Sequence, residues 1–470
     1  MKIYKLKYKI LTLFLASILI FSPSFVLATE NDKAIDNLSE EETAEDELSA
    51  EEKYRIEFME KAKKMEKYSI NELTTAYLLG DYSSGEILEG ENIDEIIAIA
   101  STTKILSIYV VLDAIRAGKL NYDDIVTITK ESAILRGSSY DLKEGDRILV
   151  KDLIEAAIVV SGNDACHALA VKVSGTEDDF VKLMQEKLRD LEIYDADIIN
   201  CTGLPNYNID KQNMMSTRSL FKLSRSFIMD YPEILLISSM KEIVNEDRDY
   251  KEKTTNPLLG ELLEIDGLKT GYTGMAGRCL IATGIKKADD LIFGSDSFNA
   301  SRINGDDKEI IIGTAPDEEE GAPIYADTRL IGITMGSKGD VQRYVAAKKL
   351  MEHGFETYRN YILGDPNIKV ETVHNEECYP KDYELYPLES KIIMKKKDDA
   401  VSFNVKTMEI TPPLDAGNIA GEITYFLNGE EIFSSPLIIK ENLVRTNFFI
   451  RMQRAFQKLF SNSVRVFNTN

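Results

Sequence analysis

Hydrophobic and polar positions divide the chain into segments of different texture. Residues 30 to 53 are crowded with acids and lack aromatics, so they bury too little apolar surface to fold and predict a solvated spacer. A helix is expected from near Ala50 to Lys67. From Thr74 the stretch "TTAYLLGDYSSGEILEG" predicts two strands around a Ser-Ser-Gly turn. The next run, "ILSIYVVLDAI" from Ile105, is apolar on nearly every side of a helix entered at Ser101 and ended by Gly118. Such a helix is a buried central one. "VKDLIEAAIVV" and "DACHALAVKVSG" read as two helices broken at Ser161-Gly162-Asn163. Two more are expected, one capped by Thr176 and one starting near Ser216.

After Gly260 the pattern turns to strands, "GLKTGYT", "RCLIATGIKK" and "RLIGITMG", and the helix "DVQRYVAAKKLMEHGF" follows. Strands near both ends of this region, with helices between them, imply a sheet whose members meet from far apart. Between Asp290 and Asp327 a Gly-, Asp- and Glu-rich segment reads as an inserted surface excursion. Residues 366 to 440 alternate polar and apolar, with a hairpin turn at Asn428-Gly429, and predict a small all-β domain.

The two ends change the picture again. Lys2, Lys5, Lys7 and Lys9 precede an apolar stretch from Ile10 to Phe21, and "VLA" at 26 to 28 offers small residues for cleavage. This reads as a secretory signal; the alternative is an N-terminal membrane anchor, for which the apolar stretch is short. From Leu443 onward no acid occurs, although the protein carries a net charge of -23. On a helix, Phe448, Phe449, Met452, Ala455, Phe456, Leu459 and Phe460 share one face and Arg451, Arg454, Gln457 and Lys458 the other. A basic amphipathic helix of this kind lies in an anionic membrane surface, unless it packs on the body or a partner. The expected division is therefore 1–28 signal peptide, 29–67 acidic spacer, 68–362 main domain with the 290–327 insertion, 363–440 β-rich domain and 441–470 amphipathic tail.

The acidic surface repels nucleic acid, and no basic patch with interleaved aromatics offsets it. Cys166, Cys201, Cys279 and Cys378 show neither C-x-x-C nor metal-ligand spacing with the three histidines. They read as buried or free thiols with at most one disulfide, and neither metal nor cofactor is implied.

Candidate chemistry comes from three short motifs: "STTK" at 101, "SGN" at 161 and "KTG" at 269. S-x-x-K alone decides nothing, because it recurs at Ser219/Lys222 and Ser238/Lys241. S-G-N and K-T-G each occur once. Ser101 needs a base, since a free hydroxyl is barely nucleophilic at neutral pH. Lys104, one turn on, meets that need only if burial and a second cation, Lys269, bring its pKa down from about 10.4 toward about 7. Ser161 can relay a proton and Asn163 can hold Lys104 and a substrate amide. Lys269 and Thr270 suit a terminal carboxylate. Gly271 would let a substrate backbone pair along the strand edge, and the N–H groups of Ser101 and Tyr272 would form an oxyanion hole.

The order and setting of these motifs resemble the serine penicillin-recognising enzymes, with an α/β (α+β) transpeptidase/β-lactamase-like domain. "GSSYDLKEGDRILVKDLIEAAIVVSGNDACHALA", "DGLKTGYTGMAGRCLIATG" and "AGEITYFLNGEEIFSSPLII" resemble the D-alanyl-D-alanine carboxypeptidases, the low-molecular-mass penicillin-binding proteins. That resemblance implies removal of the terminal D-alanine from peptidoglycan stem pentapeptides through an acyl-enzyme on Ser101, acylation by β-lactam antibiotics, and a place at the outer face of the cytoplasmic membrane. The rivals are a class A-type β-lactamase and a non-catalytic wall-binding protein. Gln185, Asn200, Ser219 and Arg278 depart from the family's usual residues.

Overall fold

The computed structural model describes residues 49–206, 208–288, 300–304, 309–313 and 322–447, together with Phe449 and Met452. Its first helix, Ala50–Met65, stops just short of the expected Lys67. The expected signal segment, residues 29–48 of the acidic spacer and most of the amphipathic tail lie outside the described residues.

Five antiparallel strands build the central sheet: β1 (Ala76–Asp81), β2 (Ile87–Glu91), β3 (Ile265–Thr273), β4 (Gly277–Lys286) and β5 (Thr328–Ser337), in the order β2-β1-β5-β4-β3. Strands from opposite ends of the domain meet in register, Ala76 opposite Met335 and Asp81 opposite Leu330. The expected long-range sheet is present, and β3 is its edge.

Both faces of this sheet are covered, so its strands read as near-continuous apolar runs. Side chains alternate across a strand, and the two cores divide accordingly. Leu78, Ile281, Ile331 and Ile333 join the core of the helical block. That block contains α1 (Lys104–Arg116), α2 (Val150–Val159), α3 (Asn163–Ser174), α4 (Glu177–Asp190) and α5 (Thr217–Asp230). Leu79, Leu280, Ala282 and Leu330 face the other way, onto α6 (Asp340–Thr357). In α1 every residue from Lys104 to Leu112 is buried, as its all-round apolar pattern required.

The second body is all β, built on β6 (Tyr358–Leu363), β7 (Glu371–His374), β8 (Asp382–Pro387), β9 (Lys391–Lys396), β10 (Val401–Thr407), β11 (Ile419–Leu427) and β12 (Glu430–Ile439). Asn428 and Gly429 both have positive φ in the β11–β12 turn, as an Asn-Gly hairpin demands. The segment expected as an inserted surface excursion carries strands of its own. Ala300–Asn304 and Glu309–Gly313 pair as a hairpin, and Ala300–Arg302 run parallel to Val401–Phe403, so they extend the sheet of the β domain to seven strands. Ile324–Ala326 pairs with β6. An edge strand offers unpaired backbone groups to any neighbouring segment, and β10 has used that capacity on the insertion.

A buried hydrogen bond ties two parts of this body's core. The hydroxyl of Tyr425, 1% exposed, accepts from the backbone N–H of Gly364 at 3.0 Å. Tyr425→Phe leaves that N–H without a partner, and denaturant unfolding should record a loss of about 1–3 kcal/mol. An unchanged midpoint would mean that water replaces the bond at no cost.

Candidate active site

Ser101 sits on a tight turn that tertiary contacts impose. The strand Ile96–Ala98 pairs with Met214–Ser216, and the chain then enters a 3-10 turn, Ala100–Thr103, before α1 begins at Lys104. The helix expected from Ser101 therefore has a 3-10 first turn. Two glycines pack against it. A Cβ on Gly203, whose φ is +82°, would lie 1.9 Å from the Ala100 carbonyl oxygen. One on Gly271 would lie 3.1 Å from the Ser101 nitrogen. The glycine of "KTG" thus lets β3 close onto the serine turn, a reason distinct from the substrate pairing expected of it.

Lys104 is 0% exposed, and its amine meets three oxygens: Ser101 Oγ at 3.0 Å, Asn163 Oδ1 at 2.7 Å and the Thr202 carbonyl at 3.0 Å. An ammonium has three donors, and each is used. Burial disfavours its charged form and lowers its pKa to about 8. The Asn163 amide is oriented from behind, its Nδ2 donating to the Arg136 carbonyl at 2.7 Å. The Thr202 carbonyl is presented by Asn200, whose Oδ1 accepts from the N–H groups of Thr202 at 3.1 Å and Gly203 at 2.7 Å. Asn213 ties this loop to the serine turn, donating to Thr103 Oγ1 and to the Asn200 carbonyl. Asn200, a departure in sequence, is therefore a loop-shaping residue here.

Ser161 occupies the break between α2 and α3 at φ +64°, a conformation uncommon for a residue with a Cβ. Its Oγ accepts from Lys269 Nζ at 2.8 Å, and the same amine donates to the Thr270 carbonyl at 2.9 Å. Lys269 is 1% exposed. Burial, and then repulsion from Lys104, push its pKa well below the ordinary lysine value. Burial is the first cause of the shift at both lysines, and the repulsion between the two amines acts on them as a pair. Thr270 Oγ1 donates to Thr255 Oγ1 at 2.6 Å. Tyr272 follows on the same edge strand with its side chain exposed.

The structure thus gathers Ser101, Lys104, Ser161, Asn163, Lys269, Thr270 and Gly271 into one contact network, with Tyr272 next along β3. Sequence reasoning missed Arg343. It lies 8% exposed on α6, close enough to contribute to the field at Lys269, and its Nε has no hydrogen-bond partner. A signal was present: Arg343, Ala346, Ala347 and Leu350 follow the i, i+3, i+4, i+7 spacing of the buried face. The four cysteines are buried. Among the described residues no group of three or more His, Cys, Asp or Glu side chains is placed to hold a metal ion. His167 is a satisfied structural residue, its Nδ1 2.9 Å from Ser132 Oγ.

Comparison with known proteins adds a family. Residues 61–295 match the family model of the D-alanyl-D-alanine carboxypeptidases, peptidase family S11. The D-alanyl-D-alanine carboxypeptidase DacC of Escherichia coli (strain K12) is 30% identical over 389 residues, covering 80% of this chain and 86% of that protein. DacF of Bacillus subtilis (strain 168) is 25% identical over 391 residues, covering 82% and 89%. The crystal structure of penicillin binding protein 5 from Haemophilus influenzae superposes with a TM-score of 0.55 at 25% identity, covering 79% of this chain and 98% of that one. The S-x-x-K, S-G-N and K-T-G motifs meeting around one buried lysine, the sheet flanked by helices and the β-rich second body all agree with these matches, and the chain belongs to the D-alanyl-D-alanine carboxypeptidase family of low-molecular-mass penicillin-binding serine peptidases.

Proposed function

We propose that this serine-type D-Ala-D-Ala carboxypeptidase trims peptidoglycan stem pentapeptides through an acyl-enzyme on Ser101. The observation that carries the assignment of roles is the buried Lys104 amine, 3.0 Å from Ser101 Oγ and poised near pH 8. Lys104 takes the Ser101 proton as Oγ attacks the carbonyl of the penultimate D-alanine. The N–H groups of Ser101 and Tyr272 receive the developing oxyanion. Ser161, held by Lys269, passes a proton to the departing D-alanine amine, and water then releases the shortened peptide. Lys269, Thr270 and Arg343 take the terminal carboxylate, while Asn163 also supports a substrate amide. A β-lactam acylates Ser101 by the same attack, but its leaving nitrogen stays tethered to the adduct.

Two buried amines that repel each other titrate as a pair. An anionic carboxylate beside Lys269 draws the positive charge there and leaves Lys104 neutral, so substrate binding activates its own base. Because the folded pKa of Lys104 is depressed, its basic form, and with it acylation, grows as pH rises through about 8. The pH profile of kcat/KM reports the free enzyme and that of kcat the complex. The rising limb of kcat should therefore have its midpoint below that of kcat/KM. Coincident midpoints would sink the coupling.

The same reading extends to location. It assigns 1–28 to an export signal, 29–67 to a spacer, 68–362 to the peptidase, 363–440 to the β domain and 441–470 to an anchor on the outer face of the cytoplasmic membrane. Support comes from the acid-free, basic and apolar sequence after Leu443, and from Phe449 and Met452, which are helical and exposed. Among the described residues no helix is long and apolar enough to cross a membrane.

Two experiments test these assignments. Labelled penicillin should mark the wild-type protein at Ser101, and both Ser101→Ala and Lys104→Ala should abolish the mark; labelling that survives in Ser101→Ala refutes the nucleophile. Removing residues 448–470, which leaves Leu443 in the β-domain core and Val444–Arg445 paired with Cys378–Tyr379, should shift the protein from the membrane to the soluble fraction with D-alanine release kept, and continued sedimentation with membranes would overturn the anchor.

A further inference from the structure

Arg278, which departs from the family's usual residue, stands at the meeting point of the edge strand and α6. It faces Tyr272 across the β3–β4 register, and its guanidinium lies 3.7 Å from the centre of the Tyr272 ring. The same guanidinium reaches Asp340 Oδ2 at 3.1 Å. The other oxygen of that carboxylate, Oδ1, is 2.9 Å from Nη2 of Arg343. One carboxylate at the first residue of α6 therefore bridges two guanidinium groups that otherwise repel, and the field of Arg278 opposes the charge on Arg343. Lys269 and the buried Cys279 thiol, which burial pushes up to about 11, are the further titratable groups acting there.

The bridge has a geometric consequence. Asp340 engages one terminal nitrogen of Arg343, and Arg343 Nε remains buried without a partner. A buried donor left unpaired is costly, and a planar guanidinium recognises a carboxylate through two parallel N–H groups. Arg278 completes the arrangement, because its stack on Tyr272 fixes that ring at the rim of the edge strand.

We propose that Asp340 is a positioning residue and Arg278 a specificity-determining one for substrates ending in a free carboxylate. Asp340 holds Arg343 ready for the carboxylate, and Arg278 keeps both Asp340 and the Tyr272 ring in place. This rests on the assignment of Lys269 and Arg343 to the terminal carboxylate given above.

The test compares an N-acylated peptide ending in D-Ala-D-Ala with the same peptide amidated at its C-terminus, using the full-length protein. The wild type should prefer the free acid. Arg278→Leu and Asp340→Asn should each cut that preference about fivefold, through a higher KM for the acid with kcat within about twofold and with the amide's constants unmoved. Asp340→Glu should recover part of the preference, and so should Arg278→Lys through its charge. Penicillin labelling of each variant reports that it is folded. An unchanged preference in labelled Arg278→Leu and Asp340→Asn overturns the proposal and leaves the peptidase reading intact, and so does an equal loss on acid and amide. A wild type that does not distinguish acid from amide removes the carboxylate site itself, and this proposal with it, even where D-alanine is still released.

Discussion

A primary amine sealed from water beside a serine is the constraint around which the rest of this protein is arranged. Burying an ammonium is tolerable only when its donors are met. Lys104 meets them with Ser101, the Asn163 side chain and the Thr202 carbonyl. Each partner comes from a different part of the chain. Ser101 is set by a 3-10 turn pressed between Gly203 and Gly271, Asn163 opens α3, and Thr202 belongs to a loop shaped by Asn200 and Asn213. The α1 helix is apolar all round because it must carry this amine into the core with no face left for water.

The second amine turns that constraint into a device. Lys269 is buried as deeply, on a strand whose neighbours are fixed by pairing with β4 and, beyond it, β5. Two positive charges in such a site repel strongly at low effective dielectric. A hydroxyl, Ser161, is bonded to one of them. Rigid placement matters here, because a charge that can relax into solvent would not be sensitive to an arriving anion. The left-handed backbone at Ser161 is consistent with that rigidity, since such a conformation persists only where its surroundings over-determine it.

Much of this was legible in the sequence, for reasons that can be stated residue by residue. The buried helix, the break at Ser161-Gly162-Asn163 and the alternating strands follow from spacing alone, because periodicity reports which face meets the core. Burial separates the S-x-x-K at Ser101 from the other two. Lys104 is wholly enclosed, whereas Lys222 lies at the surface near Glu192 and the hydroxyl of Ser238 is committed to the Asp266 carbonyl. Sequence spacing cannot show this, since all three pairs share the same pattern. Backbone acceptors such as Thr202 O carry no residue signature at all. Arg343 was hidden differently: its helix reads as an ordinary amphipathic one, and its charge is noticed only once its neighbours are known to be buried.

The insertion between Asp290 and Asp327 shows the limit of composition as a guide. Its Gly-, Asp- and Glu-rich sequence reads as a surface excursion and gives no sign of a partner, and within it Ala300–Asn304 and Glu309–Gly313 are strands. What made them strands was an available partner: the open edge at Val401–Phe403, about a hundred residues further on. Short β segments take their stability from pairing rather than from intrinsic propensity. Tertiary context therefore decides them, as it decides the charge on Lys104. In both places the deciding group lies far along the chain, whereas a helix or strand that has only to bury its own face is legible locally.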